Sequence, residues 1–259
     1  VGLADYNDID GTANLIDQVG DELAAVLIEP ILGAGGNIQG NRKFLQMLRQ
    51  KTAEVGALLI FDEVKTARLG PAGTQGMLGI KPDLTTLGKF IGGGLPTGAF
   101  GGSAEIMAQF NPKQKGALSH AGTFNNNVCS MAAGCAALSK IYTPQAAAEF
   151  FDRSEAFRTS LNDMFAAKAV PMYANGLGSM IAIHFSREPT KRPSDISAGC
   201  RSLRPLLHME LLLDGVLICG RGDLFLSLPM DDSHLAKARS CFEKFADRYK
   251  PLIEQVLAA

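Results

Sequence analysis

Three short segments of the chain carry side chains that could do chemistry, and the first is a carboxylate pair. Asp62 and Glu63 directly follow the apolar run 57–61. That run has the length and composition of a buried parallel strand, and open α/β sheets bind ligands at the carboxyl ends of such strands. A lone aspartate in this position is more often a helix cap or an ion-pair partner, so Asp62 needs support from other residues.

The second segment, residues 87–94, sets Lys89 between a predicted strand and three consecutive glycines. The glycines allow another group to approach the backbone closely, and the apolar neighbours can partly desolvate the amine. Desolvation lowers the pKa of a lysine, which a lysine that forms a Schiff base requires. The alternative is an ordinary exposed loop lysine. The glycines lack the Walker pattern of a phosphate loop, so a nucleotide site is not predicted.

The third segment, residues 122–127, is Gly-Thr-Phe-Asn-Asn-Asn and precedes a helix predicted from Val128. The Thr123 hydroxyl, together with the free N–H groups of a helix N-terminus, suits a phosphate group. Taken alone, the run could equally be an asparagine-rich helix cap. The three segments become specific only in combination.

The elements that must position these residues follow from the hydrophobic pattern. Short apolar runs at 24–28 and 57–61 predict buried strands, and the segment Asp83-Leu-Thr-Thr-Leu87 predicts a third short strand. Helical spacing of apolar residues between 41 and 56 predicts a connecting helix. A strand, a helix and a strand with short joins form a βαβ unit, which requires a parallel sheet covered by helices.

The second half of the chain predicts a separate α+β domain built mainly from longer helices. We place the boundary between residues 143 and 155, which divides the chain into domains 1–148 and 149–259. The helices predicted beyond Asn125 span 128–142, 145–168, 197–214 and 233–257, and the strands span 179–185 and 224–228.

Composition excludes several classes of function. The 259 residues carry 25 basic and 26 acidic side chains, and this balance lacks the basic footprint of a protein that binds nucleic acid or an anionic membrane. The apolar runs are too short to span a bilayer. Five cysteines without a CxxC pair and four scattered histidines predict no metal site. Buried free thiols in a reducing, cytoplasmic compartment fit this cysteine usage.

Together, the segments resemble the class III aminotransferases, which are pyridoxal-phosphate enzymes of fold type I. The resemblance extends from about residue 5 to the C-terminus. It is closest to the glutamate-1-semialdehyde aminotransferase group and, within it, to the bacterial β-amino-acid (β-phenylalanine) aminotransferases. The matching stretches are Glu29-Pro30, Asp62-Glu63-Val64, Thr66-Ala-Arg-Leu69, 82–89, 92–102, 122–128 and Arg221-Gly222.

The resemblance implies an α/β fold with a mostly parallel sheet covered by helices, and a smaller α+β C-terminal domain. Residues 1–148 would be the C-terminal portion of the large cofactor-binding domain, and residues 149–259 the small domain. Members of the family are longer at the N-terminus. We therefore expect a missing N-terminal segment of the same polypeptide to contribute to the active site and the phosphate site.

The resemblance also implies roles for single residues. Lys89 would hold pyridoxal 5'-phosphate as a Schiff base and move a proton between substrate and cofactor, and Asp62 would pair with the pyridine nitrogen. Val64 would pack on one face of the ring. Thr123 would donate to the cofactor phosphate, in this family typically that of the neighbouring subunit, which implies a homodimer with shared active sites.

Arg221 is the candidate for substrate recognition, because an arginine can grip a carboxylate as a planar fork. An arginine at this motif is implicated in carboxylate binding in the β-amino-acid subgroup, whereas the semialdehyde enzymes carry an acidic residue there. The alternative is that Arg221 is an ordinary arginine in a surface turn.

The implied function is transfer of an amino group from an amino acid, here a β-amino acid, to a 2-keto acid. One alternative is glutamate-1-semialdehyde 2,1-aminomutase, or a related isomerase such as a racemase. Another is a catalytically inactive binding protein on the same fold.

Overall fold

The computed structural model describes residues 1–258, which divide into two compact units. The first unit comprises Val1–Pro30 and Gly40–Ala148, and the second comprises Ile31–Gln39 and residues 149–258. The helices are α1 (Ile9–Val19), α2 (Arg42–Glu54), α3 (Gly73–Leu78), α4 (Ala104–Ala108), α5 (Val128–Ala136), α6 (Pro144–Ala167), α7 (Ala198–Leu213) and α8 (Asp232–Ala258). The strands are β1 (Ala25–Ile28), β2 (Ile31–Leu32), β3 (Ile38–Gln39), β4 (Leu58–Asp62), β5 (Leu84–Gly88), β6 (Gly98–Gly102), β7 (Tyr173–Leu177), β8 (Met180–His184) and β9 (Asp223–Phe225).

The first unit is built on a four-stranded sheet in the order β1-β4-β5-β6. Strands β1, β4 and β5 run parallel, and β6 is antiparallel to β5. Leu59 and Phe61 of β4 are fully buried, as is Leu45 of α2, the helix that connects β1 to β4. The predicted parallel βαβ unit is confirmed, with strand bounds one residue away from those expected.

Polar contacts hold α2 in place at both of its ends. The side chain of Asn41 accepts a hydrogen bond from the Lys43 N–H at 2.9 Å, which caps the N-terminus of the helix. Toward the C-terminus, Arg49 donates to the carboxylate of Asp83 at 2.8 Å, and that carboxylate also accepts the Leu59 N–H of β4 at 2.7 Å. Asp83 therefore ties the helix to the sheet.

The second unit has an antiparallel sheet in the order β7-β8-β9 with α6, α7 and α8. Its core is aromatic, with Phe165 and Phe242 in edge-to-face contact at a centroid distance of 6.3 Å. The hairpin β2–β3 belongs to this unit, where Gln39 donates to the Gly176 carbonyl at 2.6 Å. The prediction placed residues 31–39 with 1–148, and the structure differs there. The assignment of 1–148 and 149–259 to two domains of the family remains a prediction.

Two local expectations were wrong. The helix predicted over 128–142 is α-helical only to Ala136 and then forms a π-helical turn, Ala137–Ile141. Burial was expected for all five thiols, but Cys129 and Cys135 are exposed, because they lie on the small-residue helix α5, most of whose surface is exposed.

Within residues 1–258, no helix is long and apolar enough to cross a membrane. The same part of the chain contains no group of three or more side chains that could hold a metal ion.

Candidate active site

The ends of two parallel strands bring the first candidate residues together. Asp62 is the last residue of β4 and lies opposite Thr86 of β5. Strand β5 ends at Gly88, and Lys89 follows at once in a single 3-10 turn. Because parallel strands end at the same edge of a sheet, Asp62 and Lys89 lie at the edge where α/β folds bind ligands.

The carboxylate of Asp62 keeps free capacity for a ligand. Its Oδ1 accepts the Val64 N–H at 3.0 Å, and no donor among residues 1–258 reaches Oδ2. Its neighbour Glu63 is different: this side chain is fully buried and accepts hydrogen bonds from the Thr66 hydroxyl at 2.8 Å and the Thr74 N–H at 2.7 Å. The Gln75 N–H also donates to Glu63, at 2.8 Å. Glu63 thus anchors the start of α3.

Lys89 has an exposed side chain on a constrained backbone, so the partial desolvation expected from its apolar neighbours is not provided by the described residues. Its φ of 54° lies in the left-handed region, which costs a residue with a Cβ atom about 1 kcal/mol or more. The turn that carries it packs backbone to backbone on α5. A Cβ atom on Gly93 would lie 2.3 Å from the Ala133 carbonyl oxygen, and one on Gly134 would lie 2.3 Å from that of Ile91. This packing fixes the position of Lys89 and overrides its backbone preference.

An aromatic pair supports the lysine turn. The rings of Phe90 and Tyr142 are in edge-to-face contact at a centroid distance of 5.4 Å, and the Tyr142 hydroxyl donates to the Arg68 carbonyl. Burial raises the pKa of Tyr142, so the phenol stays a neutral donor. Tyr142 connects the turn of Lys89 with the segment that follows Asp62. Nothing in the sequence distinguished this tyrosine.

Val64 contacts the end of β5 and donates its N–H to Asp62. Its Cγ1 atom is 3.2 Å from the point where a Cβ on Gly88 would sit, so its side chain packs on the backbone that precedes Lys89. We refer to Asp62, Val64 and Lys89 as the strand-end cluster.

Thr123 stands apart from this cluster. It lies in the exposed stretch 121–129, and no hydrogen bond within the described chain joins it to Asp62 or Lys89. The N-terminus of α5 is capped by Asn127, whose side chain accepts the N–H groups of Cys129 and Ser130 at 3.1 and 3.2 Å. Those two groups are therefore not free for a phosphate, and the asparagine-rich cap that the sequence left open is present.

Two cavities of the first unit have walls that do not include the strand-end cluster. One, of about 710 Å³, lies between turn 96–98 and segment 120–127, with His120, Gly122 and Asn125 in its wall. The other, of about 1000 Å³, contacts Thr85 and Leu87 of β5. Those side chains alternate with Thr86, which is paired with Asp62, so that cavity lies on the opposite face of the sheet.

Arg221 belongs to the second unit, in the turn before β9, and its side chain is 56% exposed. Its Nε and Nη2 atoms donate to Oδ2 of Asp223 at 3.2 and 2.9 Å, and this carboxylate raises the pKa of the guanidinium. Asp62, Val64 and Lys89 therefore belong to one sheet edge of the first unit, Thr123 lies in an exposed segment of the same unit, and Arg221 belongs to the second unit. Asp223 was missed as a partner, although its spacing of two residues from Arg221 was a usable signal.

The family of the chain is decided by a match to a family model. The model for the class III aminotransferases ("Aminotransferase class-III") matches residues 6–245. The chain belongs to this family. Class III aminotransferases use pyridoxal phosphate, and the predicted α/β architecture of fold type I is confirmed by the structures that this chain resembles.

Two relatives and one solved structure illustrate the match. The chain is 45% identical to a β-phenylalanine transaminase of Variovorax paradoxus over 96% of this chain and 57% of that protein. The crystal structure of a β-phenylalanine aminotransferase from Variovorax paradoxus superposes with a TM-score of 0.93 at 45% identity, over 95% of this chain and 57% of that one. A glutamate-1-semialdehyde 2,1-aminomutase of Pyrobaculum arsenaticum is 39% identical over 83% of this chain and 51% of its own length. The chain spans about half the length of the curated relatives it matches.

Proposed function

We propose that this class III chain belongs to a pyridoxal-phosphate transaminase that moves an amino group from a β-amino acid to a 2-keto acid. One observation carries the proposal. Lys89 is held in a left-handed backbone conformation directly after β5, and the neighbouring parallel strand β4 ends at Asp62, whose carboxylate has an open oxygen. Strain of this kind persists only where the surrounding structure imposes it, and it concentrates at functional sites.

The strand-end cluster fits the cofactor. The exposed amine of Lys89 can form a Schiff base with an aldehyde, and the open Oδ2 of Asp62 can accept a hydrogen bond from a protonated pyridine nitrogen. Val64 adds an apolar contact for a ring. When bound, pyridoxal phosphate serves as an electron sink for the electrons left on the substrate carbon after its proton departs.

The chain's own residues would supply the acid–base steps. The Lys89 amine would act as a general base that takes the proton from the substrate carbon bearing the amino group, and then as a general acid that donates this proton to the cofactor carbon. The Asp62 carboxylate keeps its partner nitrogen protonated throughout, because a nearby negative charge favours the charged form of that nitrogen.

We propose that Thr123 donates to the cofactor phosphate of a second subunit in a homodimer. Phe124 and Val128 flank this segment and are 84% and 80% exposed. Two large apolar side chains so close together suit an interface between subunits. The five free thiols suit a reducing compartment such as the cytoplasm.

The preference for a β-amino acid is supported by Arg221 and by the similarity to a β-phenylalanine transaminase. A guanidinium that is half exposed can pair with a substrate carboxylate in bidentate geometry. The similarity to an aminomutase makes isomerisation of glutamate-1-semialdehyde the second candidate.

The two candidates differ in their need for an amino acceptor. The full gene product, loaded with pyridoxal phosphate, should convert 3-amino-3-phenylpropionate only when 2-oxoglutarate or pyruvate is added. Turnover of glutamate-1-semialdehyde without any keto acid, together with no turnover of β-amino acids, would refute the proposed substrate and favour the aminomutase.

A further inference from the structure

Asp223 is a buried carboxylate whose ion-pair partner is open to solvent. Its side chain is 1% exposed, whereas that of Arg221 is 56% exposed. Burying a carboxylate is costly, and a pair with an exposed arginine contributes little net stability. Stability alone therefore gives a weak reason for this pair.

The geometry of the pair leaves one end of the guanidinium available. Arg221 uses Nε and one N–H of Nη2, both on the same oxygen of Asp223, at 3.2 and 2.9 Å. Both bonds lie along one edge of the planar group. The two Nη1 protons and the second Nη2 proton have no partner within residues 1–258, and this Nη1–Nη2 end is a fork that binds a carboxylate with two parallel hydrogen bonds.

The turn that carries the pair is fixed on β8. The Ile183 N–H donates to the Gly222 carbonyl at 2.9 Å, and the Cys219 N–H donates to the Asp223 carbonyl at 2.9 Å. Gly222 has a φ of 88°, and a Cβ atom there would lie 2.8 Å from the Ile183 carbonyl oxygen. Position 222 thus requires glycine. The backbone contacts of the turn fix the spacing between Arg221 and Asp223.

The second oxygen of Asp223 is tied to the glycine-rich loop 33–39. Asn37, which is 1% exposed, donates from Nδ2 to Oδ1 of Asp223 at 3.3 Å. The neighbouring Gly36 carbonyl accepts the Nε2–H of buried His184 at 2.7 Å. Both oxygens of the carboxylate are therefore engaged in hydrogen bonds, as expected of a group that orients another.

We propose that Asp223 is a positioning residue that holds the Nε–Nη2 edge of Arg221 and so presents the Nη1–Nη2 end to the substrate carboxylate, with Asn37 fixing Asp223 in place. The inference rests on the proposed function, because it assumes that Arg221 binds that carboxylate. Asp223 acts through Arg221 and need not touch the substrate.

The test compares donors with and without a carboxylate in the PLP-loaded full gene product. Asp223→Asn should raise KM for 3-amino-3-phenylpropionate about tenfold, with kcat changed less than about twofold, because orientation of the fork is lost while the reacting groups are untouched. KM for 1-phenylethylamine, a donor that lacks the carboxylate, should not change. The Kd of 3-phenylpropionate, measured by calorimetry, should rise by the same factor and gives a readout that is independent of turnover.

Matched variants separate the possible failures. Asp83→Asn breaks another aspartate–arginine pair, with Arg49, and should lower stability without moving either KM. Arg221→Ala should raise KM for the acid donor at least as much as Asp223→Asn, and the double variant should add little. If Asp223→Asn does not fold, Asn37→Gly keeps the left-handed backbone (φ 50°) and should raise KM for the acid donor about threefold.

The outcomes are distinguishable. If Arg221→Ala raises KM but neither Asp223→Asn nor Asn37→Gly does, the positioning role is refuted and the proposed function stands. If Arg221→Ala leaves KM and Kd unchanged, the proposed carboxylate site is wrong and the inference fails with it. Equal losses with both donors would mean that Asp223 is merely structural, which also overturns the inference.

Discussion

The polar side chains of the strand-end cluster differ from His184 in how fully they are hydrogen-bonded. His184 is fully buried, its Nε2–H donates to the Gly36 carbonyl, and its Nδ1 accepts from the Thr190 hydroxyl at 3.0 Å and from Arg204 at 3.3 Å. At the strand end, Asp62 has one donor and Lys89 is exposed. Saturated polar groups hold a fold together, whereas groups with open hydrogen-bond capacity on a fixed backbone are prepared for a ligand.

We expect the largest loss of activity from a substitution at Lys89. Lys89→Ala should lower transaminase activity by about 10⁴-fold, because the amine that links the cofactor and moves the proton is removed. Stability should change by less than about 0.5 kcal/mol, since the side chain is exposed. Steady-state kinetics and urea unfolding measure the two effects. Lys81→Ala, at another exposed lysine of the same unit, is the control and should keep full activity. Comparable turnover in both variants would remove Lys89 from the mechanism.

Asp62 should show the next largest effect on activity. Asp62→Asn should lower kcat by about 10²- to 10³-fold, because the amide cannot keep the pyridine nitrogen protonated. Its effect on folding should be small, because the carboxylate accepts a single hydrogen bond within the described chain. Steady-state kinetics at saturating cofactor measure the decrease in kcat.

The adjacent carboxylate supplies the matched control for Asp62. Glu63→Gln should destabilise the protein by about 2 kcal/mol, because a buried acceptor of three hydrogen bonds is weakened. The kcat of the protein that remains folded should stay near that of the wild type. A larger activity loss in Glu63→Gln than in Asp62→Asn would reverse our assignment of the two residues.

His184 should make stability depend on pH. Burial lowers its pKa from 6.5 to about 4, so the folded protein holds a neutral ring while the unfolded chain takes up a proton below pH 6.5. Stability should therefore fall as pH drops from about 6.5 to about 4, by up to about 3 kcal/mol from this residue. Urea unfolding across this range should show a shallower dependence in His184→Gln. Equal slopes in the two proteins would contradict the contribution of His184.

Tyr142 should give the smallest effect. Tyr142→Phe removes the hydroxyl that donates to Arg68 but keeps the ring against Phe90. The loss of one such hydrogen bond is worth about 1 kcal/mol, so cofactor affinity should fall a few-fold through the loosened lysine turn. A spectroscopic cofactor titration measures it. Tyr249→Phe, in the second unit, should leave the affinity unchanged.

The sequence predicted the strand-end cluster well, because its position follows from local patterns. The short segments 57–61 and 83–87 predicted β4 and β5, and the carboxyl ends of neighbouring parallel strands place Asp62 and Lys89 at one edge of the sheet. Strand β7 was missed, because its sequence Tyr-Ala-Asn-Gly-Leu has little β character, and its pairing with β8 supplies the stabilisation instead.

Local sequence patterns could not predict contacts between residues that are far apart in the sequence. Asn37 and Asp223 are separated by 186 positions, and no local sequence pattern predicts their hydrogen bond. For the same reason no local pattern predicts that residues 31–39 cluster with the second unit. The left-handed backbone of Lys89 was also unforeseen, because it arises from packing of its turn on α5.

The most direct test is the absorption spectrum of the purified protein with pyridoxal phosphate, before and after adding 3-amino-3-phenylpropionate. The account predicts a visible band from lysine-bound cofactor that is lost in Lys89→Ala and shifts toward the amine form of the cofactor when the β-amino acid is added. A band that persists in Lys89→Ala, or that never forms in the full gene product, would contradict the assignment of Lys89 as the cofactor-binding residue.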